Sequence, residues 1–341
     1  MKGAGIAGRM DDSAQISITC DSAICVPLRD ERRNIAGLIR AIARQDRAML
    51  ARTMLLLCLD GDCPATRAAA ATALADVPWL AARIVAISRL SSPDAGRARG
   101  AAMDAALPLL TPDGVLLTTD ADTRPDADWL ATSLAALRSS DLVCGRIRRR
   151  DAARDAWRRP IETYLDQLTA ARARIDPIAH DPDPHWNEGG ASIALTTAAY
   201  RAVGGMPMLA SGEDRALVDA VRRRGLRVRH DPAVRVATSS RATGRATGGL
   251  ADAIRAGRAG ADAGLVEHPA AVLARFAREG AIRRAWTARR PLPAYGIDEA
   301  ALASAACAEA LFHHAGGERG GPTPIALALD WLQAPRPAVA A

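Results

Sequence analysis

Short apolar runs alternate with segments of helical periodicity along the first part of the chain. Each apolar run is bounded by Pro, Gly or Asp, which is typical of a buried strand that ends in a turn. The runs and their turns occupy residues 23–31, 53–62, 82–90 and 114–122, and helical segments occupy 34–46, 63–77, 94–110 and 126–140. This alternation predicts an α/β fold of right-handed βαβ units, with a mostly parallel sheet covered by helices.

The pattern is less regular in the second half of the chain. A basic segment at 146–176 is predicted to be helical beyond its start, and residues 226–240 read as two short strands broken at Pro232. Residues 193–206 predict a strand and a short helix, and residues 212–225 predict a helix. We therefore expect a flexible tail at 1–19, one α/β domain at 20–250 and a helical extension with a Pro-rich end at 251–341.

Composition and charge narrow the class of partner. Hydrophobic residues make up 49% of the 341 residues and charged residues 24%, which is compatible with a packed core. The net charge of +7 suits an anionic partner such as a nucleotide or an acidic membrane face, or reflects Arg in place of Lys on a solvated surface. Aromatic residues are not interleaved with the Arg runs, so we do not expect a nucleic-acid partner.

Cysteine spacing and hydropathy indicate the cellular setting. The six cysteines include no C-x-x-C pair, and several lie in apolar runs, so buried reduced thiols explain them better than disulfides or zinc. No stretch reaches the ~18 apolar residues of a membrane span, and the N-terminus lacks the apolar core of a signal peptide. We expect a cytoplasmic protein. Peripheral contact with an anionic membrane stays open, and the oligomeric state is not indicated.

Two carboxylates one residue apart follow the fourth apolar run. Asp120 and Asp122, the D-x-D pair, can both face one Mg²⁺ or Mn²⁺ that keeps open positions for phosphate. A solvated turn with a capping Asp is the alternative that the motif alone leaves open. Ligands of parallel sheets bind at the carboxyl ends of strands, and Asp60 and Asp62 are expected at that same edge.

Three further motifs have chemistry of their own. Arg97 and Arg99 flank a small-residue loop that opens a helix, an arrangement that suits phosphate or a solvated turn. Glu213 and Asp214, the E-D pair, begin a helix, where one carboxylate can serve as a general base or both can simply be favoured by the helix dipole. The Gly-Gly loop, residues 189–191, permits close approach of the backbone to a ligand.

The order of these motifs resembles that of the family 2 glycosyltransferases, whose nucleotide-sugar-binding domain has the A-type (GT-A) fold. The resemblance covers roughly residues 22–250, and its most specific parts are the D-x-D pair before "RPDADWL" and the run "AYRAVGGM…GEDRALVDAVRRRG". It implies metal-dependent transfer of a sugar from a nucleotide-diphosphate sugar to an acceptor hydroxyl. Residues 20–145 would form the donor half, and residues 146–250 the acceptor and catalytic half.

The resemblance also implies roles for individual residues. On the donor side, residues would contact the nucleoside, the diphosphate and Mg²⁺ or Mn²⁺: Pro27, Glu31, Asp60, Arg97, Asp120 and Asp122. On the acceptor side, the Gly-Gly loop with Gly189 and Gly190 would face the acceptor, and Asp214 of the E-D pair with Glu213 would be the catalytic base. Arg241 and Arg245 would grip the donor diphosphate or the acceptor.

Some positions depart from the family pattern. The second strand ends in "LDGDCPAT" in place of D-[DN]-[GS]-S, so the contact of Asp60 with the base is less well defined. The Q-x-x-R-W signature and the membrane spans of processive synthases are missing, which favours transfer of a single sugar, with inversion at the anomeric carbon. His230 falls where some A-type enzymes place a third metal ligand, although a structural histidine at a strand end is favoured.

Two alternatives stay open at this point. One is a retaining enzyme that acts on a small phosphorylated acceptor. The other is a degenerate, non-enzymatic module that binds a nucleotide or a partner through an Arg-rich helix at residues 146–159.

Overall fold

The apolar runs of the first half form one side of a twisted sheet. The structure is a computed structural model that describes residues 19–89, 95–150, 156–240, 264–315 and 319–334. Four parallel neighbours in the order β3-β2-β1-β4 make up this side: β1 (Cys20–Leu28), β2 (Thr53–Asp60), β3 (Ala82–Ile87) and β4 (Leu110–Thr118). The predicted mostly parallel α/β sheet is confirmed.

The second half continues the sheet with strands of both directions. These strands are β5 (Arg124–Pro125), β6 (Leu142–Arg149), β7 (Ile193–Thr196) and β8 (Val228–Thr238), in the order β4-β7-β6-β8-β5. β7 and β5 run antiparallel to their neighbours, and β6 pairs in parallel with β8. β6 was not predicted, and it crosses the expected boundary between residues 145 and 146. Its apolar part, Leu142–Cys144, is shorter than the other runs, and its basic end lies at the start of the segment 146–176, which is predicted to be helical only beyond its start.

The prediction of two strands broken at Pro232 is wrong. β8 is one strand of eleven residues, and its register against β6 shifts beside the proline. Gly145 pairs with Asp231 whereas the next residue, Arg146, pairs with Arg235. Residues 232–234 therefore form a bulge, which is where a sheet tolerates a proline that cannot donate a ladder hydrogen bond.

Helices cover both faces of the sheet. Those of the first half are α1 (Ile35–Ile42), α2 (Arg47–Leu50), α3 (Pro64–Ala75), α4 (Ala95–Ala106) and α5 (Trp129–Leu137), and those of the second half are α6 (Arg159–Ile175), α7 (Thr197–Ala202) and α8 (Glu213–Arg223). Because side chains alternate along a strand, β1 sends Ile24 into one core and Cys25 into the other. The core with Ile24 also contains Trp129 of α5, and the core with Cys25 contains Leu217 of α8.

The C-terminal region is largely helical and packs on the second half. Its elements are β9 (Leu265–Glu267), α9 (Pro269–Thr287), α10 (Glu299–Ser304), β10 (Pro322–Pro324) and α11 (Ile325–Gln333). Helices α9 and α11 contact α6 through a cluster that includes Val272, Ala328 and Leu168. The thiol of Cys307 lies 3.3 Å from the carbonyl oxygen of Arg222, so this region also touches the end of α8.

The cysteines and the helices bear on two further expectations. All six cysteines are buried and unpaired with one another, as predicted. Among the residues that the structure describes, no helix is long and apolar enough to cross a membrane.

Candidate functional site

The predicted site residues gather at the carboxyl edge of the sheet. β2 ends at Asp60, and the D-x-D pair follows β4, which runs parallel to it across β1. Helix α8 brings the E-D pair to this edge, and its N-cap is Gly212, whose φ of +77° favours glycine. Of the predicted residues, Arg241 and Arg245 lie outside the part of the chain that the structure describes.

The buried guanidinium of Arg99 connects the two acidic motifs. Its side chain is 6% exposed, and its Nη2 donates to Asp120 Oδ1 at 3.0 Å while its Nε donates to Glu213 Oε1 at 3.2 Å. Nη1 donates to the Thr118 hydroxyl at 2.6 Å and to the Gly190 carbonyl at 3.0 Å. One side chain thus joins the D-x-D pair, the Gly-Gly loop and the E-D pair.

Arg99, rather than Arg97, occupies the interior of the site. Residues two apart on a helix point in different directions, and α4 leaves Arg97 exposed. Arg99 belongs to the buried stripe of α4, three and four residues before Ala102 and Met103, both fully buried. The resemblance assigned the basic role to Arg97, but helical periodicity identifies Arg99 as the residue that faces the sheet.

The Gly-Gly loop is packed tightly between Arg99 and the E-D pair. A Cβ atom on Gly190 would lie 2.3 Å from Cζ of Arg99, so no other residue type fits without moving the guanidinium. The backbone N–H of Gly190 donates to Asp214 Oδ2 at 2.9 Å. Gly190 therefore holds Arg99 through its carbonyl oxygen and Asp214 through its N–H.

The two members of the E-D pair differ in environment. Glu213 is buried, and burial raises the pKa of its carboxyl, with Arg99 opposing and Asp214 adding to that rise. Asp214 is half-buried, and its Oδ1 also accepts from the N–H of Arg215 at 2.8 Å. The carboxylate that a ligand can approach is that of Asp214, whereas Glu213 serves to hold Arg99.

The D-x-D pair is held from two sides. Asp120 is 37% exposed and contacts Arg99, whereas Asp122 is buried and accepts from the Ser239 hydroxyl at 2.5 Å. Ser239 follows β8, and Nη2 of Arg150 donates to the Asp122 carbonyl at 3.1 Å. Ser239 and Arg150 were not predicted, since their contacts with Asp122 depend on how β6 and β8 meet the end of β4.

These oxygen donors suit a hard divalent cation. Among the described residues no three His, Cys, Asp or Glu side chains converge on one point. Two carboxylates one residue apart, with the Ser239 hydroxyl beside the buried one, match the ligand preference of Mg²⁺ and Mn²⁺. The remaining positions would then fall to phosphate oxygens or water.

The predicted nucleoside-side residues lie at the ends of β1 and β2. Asp60 is 2% exposed and accepts from Arg29 Nη1 at 2.9 Å, an ion pair that the sequence analysis did not identify. Glu31 is buried, and its carboxylate accepts from the side chain of Asn34 at 2.7 Å. Pro27 is half-buried on β1. The Arg29–Asp60 ion pair therefore lies at this end of the site, with the carboxylate buried beneath the guanidinium.

His230 lies apart from the D-x-D pair, in the first half of β8. Its Nδ1 is 2.8 Å from Asp181 Oδ2 and its Nε2 is 3.2 Å from Glu188 Oε1. The interpretation as a structural histidine agrees with these contacts.

Known proteins resemble the chain in structure and not in sequence. No known protein-family model matches the chain, and no curated protein sequence matches it. The mannosyltransferase PcManGT from Pyrobaculum calidifontis, solved with GDP-Man and Mn²⁺, is 18% identical at a TM-score of 0.51 over 86% of this chain and 70% of that chain. Residues 1–349 of S. aureus TarS, solved with UDP-GlcNAc, are 14% identical at a TM-score of 0.50 over 78% of this chain and 73% of that chain. The chain therefore has the GT-A fold.

Proposed function

We propose that this chain of GT-A fold transfers a single sugar from a nucleotide-diphosphate sugar to the hydroxyl group of an acceptor, with inversion at the anomeric carbon. The observation that supports the proposal best is the position of Arg99. Its guanidinium links the D-x-D pair, which suits a divalent cation and the diphosphate that the cation binds, to the E-D pair, which suits a general base. The two similar structures bind GDP-Man and UDP-GlcNAc, which is consistent with a nucleotide-sugar donor.

Asp214 is the proposed general base. Its carboxylate lies in the first turn of α8, and the N–H of Gly190 orients Oδ2. The acceptor hydroxyl gives its proton to Asp214 as its oxygen forms a bond to the anomeric carbon. The bond from that carbon to the diphosphate oxygen breaks, and the electron pair leaves with the diphosphate. One displacement from the opposite face inverts the anomeric configuration.

Charge on the departing diphosphate has to be balanced. A bound Mg²⁺ or Mn²⁺ would supply Lewis-acid stabilisation of the leaving group, held by Asp120 and Asp122 with the Ser239 hydroxyl nearby. Arg150, whose guanidinium lies beside Asp122, adds a fixed positive charge on the same side. Arg99 offsets the negative charge of Asp120 and Glu213, because it is buried between them.

A thermal-shift titration tests the donor part of the proposal. UDP, GDP, dTDP and their sugars are added with and without Mn²⁺ to wild type, Asp122→Asn and Asp113→Asn. Asp113 is exposed at the other end of β4 and serves as the matched control. We expect one nucleotide to raise the midpoint in the presence of Mn²⁺, by mass action, in wild type and in the control but not in Asp122→Asn. No shift with any nucleotide would contradict the proposal and favour the non-enzymatic module.

Asp214→Asn tests the catalytic part. We expect this variant to keep nucleotide binding and to lose sugar transfer, since the amide cannot accept the proton. Retained turnover would remove Asp214 from the role of base. The anomeric configuration of the product, read by NMR, decides between inversion and the retaining alternative.

A further inference from the structure

A largely buried cluster of ionisable side chains lies behind the Gly-Gly loop and is separate from the proposed donor site. Its members come from β8, from α8 and from the segment that joins α6 to β7. We call it the His230 cluster, and it consists of His230, Arg222, Asp181, His185 and Glu188.

Both ring nitrogens of His230 face carboxylates. Nδ1 is 2.8 Å from Asp181 Oδ2, and Nε2 is 3.2 Å from Glu188 Oε1. The backbone N–H of His230 also donates to Asp181 Oδ1 at 2.7 Å, which fixes the ring relative to that carboxylate. Only an imidazolium has an N–H on each side, so the charged ring is the form that can donate to both carboxylates.

Glu188 receives a second cationic partner from helix α8. Nη2 of Arg222 donates to the same oxygen, Oε1, that faces His230. Burial opposes the charged form, but hydrogen bonds from His230 and the charge of Arg222 lower the pKa of the Glu188 carboxyl to about 2. Glu188 therefore remains ionised in the interior and is attached to both α8 and β8.

The attachment of Glu188 acts on the backbone of the Gly-Gly loop. Gly189 follows Glu188 directly, and Gly190 is the residue whose N–H binds Asp214 and whose carbonyl binds Arg99. A movement of the Glu188 backbone would change both contacts, because only Gly189 lies between. On the other side of Glu188, the Asn187 side chain accepts from the N–H of Ile147 at 3.0 Å, so the loop is held from the sheet as well.

We propose that His230 is a positioning residue, whose charged ring holds Glu188 and thereby sets the Gly190 backbone against Asp214. This inference rests on the proposed function only for the consequence in catalysis. The groups that face His230 and Glu188 come from every packed element: Asp181 and His185 from the α6–β7 segment, Cys144 from β6, Arg222 from α8 and Arg172 from α6.

The attachment depends on the proton of His230. Burial lowers the pKa of the ring, but the Asp181 and Glu188 carboxylates outweigh it and raise the pKa above the ordinary value of 6.5. The contribution of the charged ring is complete below pH 6.5 and is lost as the pH rises through the pKa in the folded state. Above that pH the neutral ring can keep its Nδ1–H on Asp181, and the lone pair on Nε2 can accept from Arg222 Nη2 at 3.3 Å. The hydrogen bond that His230 donates to Glu188 is then lost.

Amide hydrogen exchange at Gly190 tests the attachment without reference to activity. The protection factor is measured in wild type across a pH series, and in His230→Gln and the matched control His314→Gln at pH 6. His314 is exposed and distant from the cluster in sequence and in contacts. We expect protection to fall about tenfold when the ring is replaced or deprotonated, the effect of losing one hydrogen bond to a charged group, and to be unchanged in the control.

Equal protection at all pH values in wild type would overturn the inference, and this experiment requires no variant to fold.

Enzyme kinetics provide a second test. We expect His230→Gln to lower kcat about tenfold, with the nucleotide-induced thermal shift unchanged. Wild-type kcat should also decline as the His230 ring loses its proton, with no such decline in the variant. A decline of the same size in both proteins would overturn the positioning role. Failure of the proposed function would instead appear as absence of nucleotide binding in wild type.

Discussion

Arg99 donates to Asp120 at 3.0 Å from a position where its side chain is almost completely buried. Burial lowers the pKa of the guanidinium, but Asp120, Glu213 and Asp214 outweigh it and hold the pKa above the ordinary value. Because Arg99 also donates to Glu213, this side chain links the loop after β4 to the start of α8. Its replacement should therefore affect both stability and ligand binding.

Arg99→Met should destabilise the protein by about 3–5 kcal/mol, because Glu213 would be left as an uncompensated buried charge. Urea denaturation measures the loss. Arg97→Met, on the exposed face of the same helix, should change the free energy of unfolding by no more than about 1 kcal/mol, because an interaction of an exposed charged side chain contributes little. Equal losses in the two variants would contradict the assignment of the interior position to Arg99.

Gly190→Ala should lower turnover strongly and weaken the contacts of Arg99. The new Cβ would lie 2.3 Å from Arg99 Cζ and displace the guanidinium from Asp120 and Glu213. A displacement of about 1 Å at such a site can reduce turnover about 100-fold. Gly321→Ala, where a Cβ meets no atom within 4 Å, is the matched control, and both are assayed for nucleotide-induced thermal shift and turnover. Normal turnover in Gly190→Ala would show that the close contact is not required.

Mild acid should destabilise the protein through His185. Burial, with the neighbouring charge of His230, lowers the pKa of His185 from 6.5 to about 4. Its contribution to stability is complete above pH 6.5 and is lost as the pH falls toward 4, because the unfolded chain binds the proton first. The charged ring of His230 stabilises the fold in the same pH range. We therefore expect the loss due to His185, on the order of 1–2 kcal/mol between pH 7 and pH 5, as the difference between wild type and His185→Gln in urea denaturation. His185→Gln should show a smaller loss, and His314→Gln the same loss as wild type.

Native thiols should be unreactive. All six cysteines are buried, and burial is the main cause that raises the pKa of Cys58 to about 11 and the pKa of Cys144 well above its ordinary value. A chromogenic disulfide reagent at pH 8 should find no fast thiol in the native protein and all six after unfolding in urea. Rapid reaction of Cys307 alone would indicate that the C-terminal region leaves the end of α8.

The central strands were predictable because parallel strands are apolar on both faces. β2 is buried at all eight positions and reads as a continuous Leu-rich run. β6 and β8 were harder to interpret, because each loses that pattern partway along. β6 turns basic after Gly145, and β8 contains a bulge that conceals its continuity across Pro232. Such features depend on pairing with a distant strand, which local periodicity does not report.

Local sequence patterns likewise revealed only part of the candidate site. The D-x-D and E-D pairs were found because their members are adjacent or nearly so in sequence. To choose Arg99 over Arg97, one must know which face of α4 is buried. The fully buried Ala102 and Met103 indicate that face, whereas the motif does not. The contact between Glu188 and His230 spans 42 residues, and no local pattern indicates it.

The last strand of the sheet, β5, is only two residues long and contains Pro125. Its partner β8 is covered there, and the proline offers no backbone N–H to a further strand. Side chains of Arg148 and Arg235 converge on Asp126 just beyond it, so the approach to this border is also charged. A foreign strand therefore finds no complete row of backbone donors at β5, and fibril growth should not begin from this two-residue strand even in concentrated solutions.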